Sequence, residues 1–317
     1  MAYLITGGAG FVGSHVAQQL LERGETVAVI DNFNDYYDPA IKRRNVECLS
    51  TYDKFTLFEG DIRDVELVDK IFSEQGITHV AHLAAMAGVR ASVDQTRLYM
   101  DVNLTGTMNL LEAGKAQNIK QFVIASTSSV YGKTEILPFI ETDTADRPLA
   151  AYPASKRAAE MLSYTYNNLV GMNVTVLRFF NVYGPAGRPD MMPWKLMEAT
   201  QTGEFIKLFN SGDIHRDWTY IDDTVHGVIA ALDKPLGYEI INLGCGSPIS
   251  LIDFVEIIEE YTGKSINKVN VPTPLSDPPI TYCDNTKARE LLDFAPSFSV
   301  KDGLYKTWEW YREFKGL

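Results

Sequence analysis

The sequence predicts an α/β protein built on a doubly wound parallel sheet, with a smaller, loop-rich α/β lobe attached. Three observations carry this. Short apolar runs rich in β-branched residues alternate with stretches long enough to cross over as helices, the pattern of parallel strands buried on both faces. That alternation holds to about residue 185 and then loosens, with prolines at 185, 189, 193, 272, 274, 278 and 279. The 317 residues, 45% hydrophobic and 22% charged, make a chain about twice the soft prior for one domain and able to bury a sizeable core. Residues 1–185 are therefore expected to form the large domain, with later segments returning to it, and residues 186–317 mainly the lobe.

Composition excludes several function classes. No run approaches the roughly 18 apolar residues of a membrane span. The 29 Lys and Arg against 41 Asp and Glu give a net charge of -12, which repels nucleic acid and anionic lipid alike, so neither is expected as a partner. An anionic ligand then needs a local basic cluster. Cys48, Cys245 and Cys283 are an odd number without C-x-x-C spacing, so no disulfide framework or zinc knuckle is readable and no metal site is expected. The N-terminus runs straight into the β-like Tyr3-Leu4-Ile5-Thr6, without a secretory signal, and a cytoplasmic protein is expected.

The expected elements follow in order. Strands are read at 3–6, 26–30, 55–58, 79–83, 121–125 and 174–177, and helices at 12–23, 41–49, 65–74, 104–116 and 155–169. Each helix falls between two strands, as a right-handed crossover requires.

The first chemical signal lies between the first strand and the first helix. Gly7-Gly8-Ala9-Gly10-Phe11-Val12-Gly13 spaces glycines at 7, 10 and 13. That spacing permits a tight turn, close approach of backbone amides to a pyrophosphate, and packing of helix on strand. The string alone is weak among 23 glycines, but the second strand runs into Asp31, 18 residues after Gly13, where a carboxylate accepts from adenosine ribose hydroxyls. Strand, turn, helix and acid in this order read as a Rossmann-type dinucleotide site. With Asp31 followed by Asn32 and no arginine beside it, NAD is favoured over NADP, because a 2′-phosphate would meet a negative charge.

The second signal is Tyr152-Pro153-Ala154-Ser155-Lys156, a Y-x-x-x-K that on a helix puts both side chains on one face. Chance alone supplies about one such pair from 16 tyrosines and 16 lysines, and Tyr311 with Lys315 is a second. What distinguishes the first is its place after the strand at 121–125, whose end carries Ser126-Thr127-Ser128-Ser129-Val130-Tyr131-Gly132. Ligands gather at the carboxyl ends of strands in a doubly wound sheet, so hydroxyls, tyrosine and lysine should converge there.

With these motifs the chain resembles the extended short-chain dehydrogenase/reductase family, in its nucleotide-sugar branch. The resemblance runs over nearly the whole chain: the glycine turn, Gly60-Asp61, His82-Leu83-Ala84-Ala85, Asn103, the serine-rich strand end, Tyr152 with Lys156, and Arg216-Asp217. It implies a tightly bound NAD⁺ held by Gly7, Gly10, Phe11, Val12, Gly13, Asp31, Asn32, Asp61, Ile62, Leu83, Ala84, Ala85, Asn103, Ser126, Tyr152 and Lys156. It also implies Tyr152 as acid and base, with Lys156 favouring its phenolate and Thr127 hydrogen-bonding in support.

The strand end narrows the reaction. The family's 4,6-dehydratases carry an Asp-Glu pair before Val-Tyr-Gly and its UDP-glucuronate decarboxylases keep the Glu, whereas Ser128 and Ser129 stand here. A 4-epimerase needs no such carboxylate. Gly88-Val89-Arg90 and the segment from Arg178 through Gly187-Arg188-Pro189-Asp190-Met191 look like signatures of UDP-glucuronate 4-epimerases. The implied reaction interconverts UDP-glucuronate and UDP-galacturonate through a 4-keto intermediate, with Thr127, Ser128 and Ser129 holding the carboxylate out of alignment with the ketone. Asn181 departs from the pattern: Thr is commoner there, and Asn belongs to epimerases of neutral UDP-hexoses, so that substrate class stays open. A non-catalytic NAD-binding sensor is the remaining rival.

For the rest of the substrate, the resemblance implies Lys207 and Phe209 at the uracil, Arg216 at the diphosphate and Asp277 at the uridine ribose. A second phosphate arginine of the family is Pro274 here, with Arg188 as its substitute. His79 and His82, three apart on a strand, face opposite sides and suit core or supporting roles. Trp308, Trp310, Tyr311 and Phe314 suit packing of the last helix. The helices from 104 and 155 carry apolar residues on more than one face, which a homodimeric four-helix contact would cover.

Overall fold

The structure, a computed structural model, describes residues 1–272 and 278–317. The first half runs β1 (Ala2–Thr6), α1 (Phe11–Glu22), β2 (Thr26–Asp31), α2 (Pro39–Leu49), β3 (Phe55–Glu59), α3 (Val65–Gln75) and β4 (His79–His82). Then come α4 (Thr96–Met100), a π-helical turn (Asp101–Thr105), α5 (Gly106–Ala116), β5 (Gln121–Thr127), a 3-10 turn (Ser128–Tyr131), α6 (Ala151–Val170), β6 (Val174–Phe179) and β7 (Asn181–Tyr183). The remainder is α7 (Met192–Thr202), β8 (Ile206–Phe209), β9 (His215–Tyr220), α8 (Ile221–Asp233), β10 (Tyr238–Leu243), β11 (Pro248–Ser250), α9 (Leu251–Thr262), β12 (Lys268–Val271), β13 (Ile280–Thr281), α10 (Thr286–Leu292) and α11 (Val300–Lys315).

Seven strands form one parallel sheet in the order β10-β6-β5-β4-β1-β2-β3. The chain winds outward from β1 to β3 and then returns to β1's other side as β4, so the strand order reverses between β1 and β4. A crevice opens at the carboxyl ends of those strands. Strand residues alternate between two cores, as the two-residue period dictates. Tyr3, Ile5, Val27, Val29 and Ala81 face α1 and α8, whereas Leu4, Ala28, Ile30 and Val80 face α3, α5 and α6.

Local chemistry sets the helix ends. The Asp64 carboxylate accepts from Leu67 N at 3.1 Å to start α3, and Gly76, left-handed at φ 60°, stops it. Ser250 and Ser299 cap α9 and α11 in the same way.

The late, proline-punctuated chain makes two small sheets. In one, β9 pairs with β7, β11 and β13, and in the other β8 pairs with β12. Strand β10 instead completes the large sheet beside β6, and α8 packs on α1. The helix expected at 104–116 begins earlier, as α4, and passes through the π turn that lets Asn103 point inward. No described helix is long and apolar enough to cross a membrane, and the three cysteines are free thiols.

Candidate active site

Side chains from six strand ends meet in one cleft of about 430 Å³. At its floor Gly7 has φ 68°, and a Cβ there would stand 2.8 Å from the Cα and N of Ala84, so only glycine lets β1 and β4 approach this closely. A Cβ on Gly13 would lie 2.3 Å from the Gly7 carbonyl oxygen. Helix α1 starts at Phe11 with no side-chain cap and no acid in its first turn. Its leading amides, beside the cleft-lining Gly10, Phe11, Val12 and Gly13, therefore offer an anion site.

Asp31 closes β2. Its carboxylate accepts from Ala9 N at 3.2 Å and Phe33 N at 2.9 Å, and Lys42 Nζ lies 3.6 Å away. Asn32 Nδ2 donates to Asp61 at 2.9 Å, and hydrogen bonds from the Arg63 side chain hold Asp61 down at about 2. Asp61, Ile62, Leu83, Ala84 and Ala85 line the same wall.

Asn103 lies behind that wall instead. Fully buried on the π turn, it accepts from Met86 N at 2.8 Å and donates to Met86 O and Ser155 Oγ, both at 2.9 Å. It thus fixes the chain after β4 against the first turn of α6. His82 plays a similar part. Thr6 Oγ1 accepts from Ala84 N and Thr107 Oγ1 donates to Asn103 O, so the imidazole accepts at Nδ1 from Thr6 (2.7 Å) and donates from Nε2 to Thr107 (2.8 Å). Burial, with Lys156 nearby, pushes its pKa far down and keeps it neutral.

Tyr152 and Lys156 project from α6 into the cleft beside Ser126, Thr127 and Ser129. Burial raises the Tyr152 phenol above its ordinary pKa, while the hydrogen bond to Thr127 and the charge of Arg188 oppose that rise. Lys156 is 2% exposed, and burial lowers its ammonium to about 8 against the pull of Glu160. Its Nζ is buried without a hydrogen-bond partner among the described residues. A ligand bearing hydroxyls there would satisfy it, and the anion site at α1 lies in the same cleft. A dinucleotide fits this donor set: pyrophosphate on the α1 amides, one ribose at Asp31, the other at Lys156.

One turn beyond Lys156, Glu160 is entirely buried. It accepts from Ser126 Oγ at 2.5 Å and from Arg178 Nε and Nη2 at 3.1 and 2.8 Å. This knot ties α6 to the ends of β5 and β6. Sequence reading missed it, although the spacing 152, 156, 160 places all three residues on one helix face.

Of the substrate residues expected from sequence, Thr127, Ser129, Asn181 and Arg188 line the cleft and Ser128 does not. Thr127 Oγ1 accepts from Ser129 N at 3.1 Å, which turns the chain so that Ser128 points elsewhere. Arg188 is forked to Asp190 at 2.9 and 2.6 Å, and Tyr36 Oη donates to the same carboxylate at 3.4 Å. Arg90, Lys207, Phe209 and Arg216 stand outside the cleft lining. Arg90 lies over the Phe209 ring at 4.9 Å, Lys207 is exposed on β8, and Arg216 Nη1 donates to His215 O at 2.8 Å. Asp277 and Pro274 fall outside the described residues. Tyr36, Tyr37 and Lys42, all lining, went unread because a loop and a basic helix carry them.

The second Tyr-Lys pair serves packing. Tyr311 Oη donates to Glu198 at 2.6 Å and Lys315 Nζ donates to it at 3.3 Å, locking α11 to α7, while Trp194 packs on Trp310 and Phe314.

A UDP-glucuronate 4-epimerase of Thermodesulfobacterium geofontis is 44% identical over 312 residues, covering 98% of this chain and 96% of its own. The crystal structure of UDP-glucuronic acid 4-epimerase from Bacillus cereus, in complex with UDP-glucuronic acid and NAD, superposes with a TM-score of 0.93 at 34% identity over 99% of this chain and all of that one. The UDP-glucose 4-epimerase of Thermotoga maritima, with UDP-glucose, gives 0.91 at 31%, over 99% of this chain and all of its own. Residues 3–244 match the model of the NAD dependent epimerase/dehydratase family, and the chain belongs to that family.

Proposed function

We propose that this protein is a 4-epimerase interconverting UDP-glucuronate and UDP-galacturonate, with NAD⁺ retained between turnovers. The observation that carries the reading is a reacting corner built of hydroxyls around Tyr152. Asp31, Asp61 and Asp190 are the acids of the described lining. The first two are at the adenosine end and the third is ion-paired to Arg188. Thr127 hydrogen-bonds Tyr152, and Ser129 and Asn181 line the same cleft, so the described lining offers Tyr152 hydroxyls and an amide rather than a free carboxylate for the eliminations or decarboxylation that related enzymes perform.

When bound, NAD⁺ supplies an acceptor and then a donor of hydride for the sugar's C4. Tyr152 Oη takes the proton of O4 and later returns it. Thr127 hydrogen-bonds that phenol, and the positive charge of Arg188 lowers the cost of the phenolate. Lys156 Nζ holds a ribose hydroxyl and sets a positive charge on the same side. Thr127 and Ser129, with Ser128 after a local shift, hold the hexuronate carboxylate turned away from the ketone without offering it an acidic proton. Arg188, Arg90 and Arg216 receive the diphosphate, Lys207 and Phe209 the uracil, and Asp277 the uridine ribose.

Incubation with UDP-glucuronate and no added cofactor is expected to yield UDP-galacturonate. Sole production of UDP-xylose or of a free 4-keto sugar would overturn the reading. Asn181 favours a second reading, turnover of neutral UDP-hexoses, because its amide can accept from a sugar hydroxyl as well as donate to it, whereas a carboxylate uses the donor alone. Comparing kcat/KM for UDP-glucose and UDP-glucuronate separates the two. A homodimer is part of the proposal, supported by Met108, Met161 and Tyr164, which are 41%, 60% and 51% exposed on α5 and α6. A cytoplasmic location is supported by the three free thiols.

A further inference from the structure

We infer that Lys42 is a further cofactor-holding residue, whose ammonium works with Asp31 to grip the hydroxyls of the adenosine ribose. The inference rests on the NAD⁺ reading above and adds to it a residue outside the glycine and acid motif.

Lys42 sits on α2, eleven residues after Asp31, in the basic run Lys42-Arg43-Arg44. The structure separates the three. Arg43 is exposed, stacked 3.6 Å over the Phe33 ring and forked to Glu59. Arg44 lies 4.9 Å over the Phe314 ring. Lys42 alone turns inward, is 6% exposed, and joins Asp31, Asn34 and Tyr37 in the cleft wall. Burying an ammonium costs free energy unless strong acceptors surround it. Its contacts are long ones: Asn34 Oδ1 at 3.2 Å, Asn34 O at 3.4 Å, the Asp31 carboxylate ion-paired at 3.6 Å and the Tyr37 ring at 5.2 Å to its centre. The Asp31 distance is too long for a hydrogen bond.

With two of its N–H donors given to Asn34, the ammonium keeps a third beside a carboxylate that has spare acceptor capacity. Each Asp31 oxygen takes one backbone amide, Ala9 on one side and Phe33 on the other, and keeps a second lone pair. A hydroxyl both donates and accepts. A ribose hydroxyl between the two groups would give its proton to Asp31 and accept from Lys42, completing both. The pair is also electrically balanced, which suits a neutral ribose better than a 2′-phosphate.

The test uses the NAD⁺-loaded protein and two competitors: NAD⁺ itself and an analogue whose adenosine ribose lacks both hydroxyls. Wild type is expected to release bound NAD⁺ slowly and to favour NAD⁺ strongly over the analogue. In Lys42→Met, release is expected about tenfold faster or more, the size of a lost charged hydrogen bond, and the preference over the analogue should fall by a similar factor. Lys42→Gln, which keeps a donor, should lie between, and thermal melting verifies that both variants fold. Equal weakening of NAD⁺ and analogue, or no weakening, would overturn the inference while leaving the NAD⁺ reading intact. A wild-type protein that holds no NAD⁺ would overturn both.

Discussion

Replacing Lys156 with methionine should make the cofactor-free protein more stable while destroying its activity. The ammonium is 2% exposed, its Nζ has no hydrogen-bond partner among the described residues, and burial lowers it to about 8 from an ordinary 10.5. Between those two values the unfolded chain binds the proton and the native chain does not, so native stability rises with pH from about 8 to 10.5. Below 8 both states are protonated and the full penalty is present, about 3 kcal/mol from that difference in pKa. Methionine, unbranched and of similar length, removes the charge and keeps the packing. Urea unfolding of cofactor-free protein at pH 7 should place Lys156→Met above wild type by up to about 3 kcal/mol, with the gap closing by about 1.4 kcal/mol per pH unit above 8. Added NAD⁺ should stabilise wild type more than the variant, because only wild type offers the ammonium to the ribose. A gap that does not change with pH, or a variant less stable at pH 7, would refute the reasoning.

Three further outcomes are expected. Tyr152→Phe should lower kcat about 10³-fold, the scale of a lost general acid and base, with NAD⁺ affinity unchanged within about twofold by fluorescence titration. Arg178→Met leaves the buried Glu160 carboxylate with Arg157 and Ser126 as its remaining partners and should cost about 3 kcal/mol in urea unfolding, and replacing Glu160 as well by an apolar residue should cost less than the sum of the two single changes. Lys315→Ala should leave turnover unchanged and shift stability by less than about 1 kcal/mol, since the side chain is 34% exposed and serves only the contact between α11 and α7.

The sequence is legible where a local rule fixes the answer. Glycines at 7, 10 and 13 and an acid at 31 locate one end of the cleft because strand, turn and helix there follow one another within 31 residues. Tyr152 and Lys156 are found because one helical turn aligns them, and Thr127 because its strand ends beside them. What stays hidden is set by distant packing. Lys42 and Arg43 are adjacent in a basic run, and only the crossing of α2 over the sheet decides that one faces the cleft and the other water. Ser128 and Ser129 look equivalent until Thr127 caps the turn between them and turns one away. Asn103 belongs to a family motif, yet its work is to hold Met86 and Ser155 together, a role visible only once α4, α5 and α6 are packed. Strands β7, β11 and β13, of three, three and two residues, are too short to show a period at all.

A net charge of -12 and an anionic ligand pair meet in a cleft whose own described charges cancel. Lys42, Lys156 and Arg188 line it against Asp31, Asp61 and Asp190, three cations to three acids. The cations at its two ends already have acids beside them, Lys42 with Asp31 and Arg188 with Asp190, while Asp61 answers to Arg63. Long-range attraction from those pairs therefore contributes little, which leaves Lys156 as the lining cation without a lining acid paired to it. On the proposed function, selectivity then rests on short-range donors: the uncapped amides of α1, the hydroxyls of Thr127 and Ser129, and the amine of Lys156. Such donors discriminate by geometry, because a group that cannot reach them leaves a buried polar atom unpaired at a cost of about 1–3 kcal/mol. Lys156 is already in that unpaired state in the structure, and so it is the residue whose stability most directly reports what the cleft is built to hold.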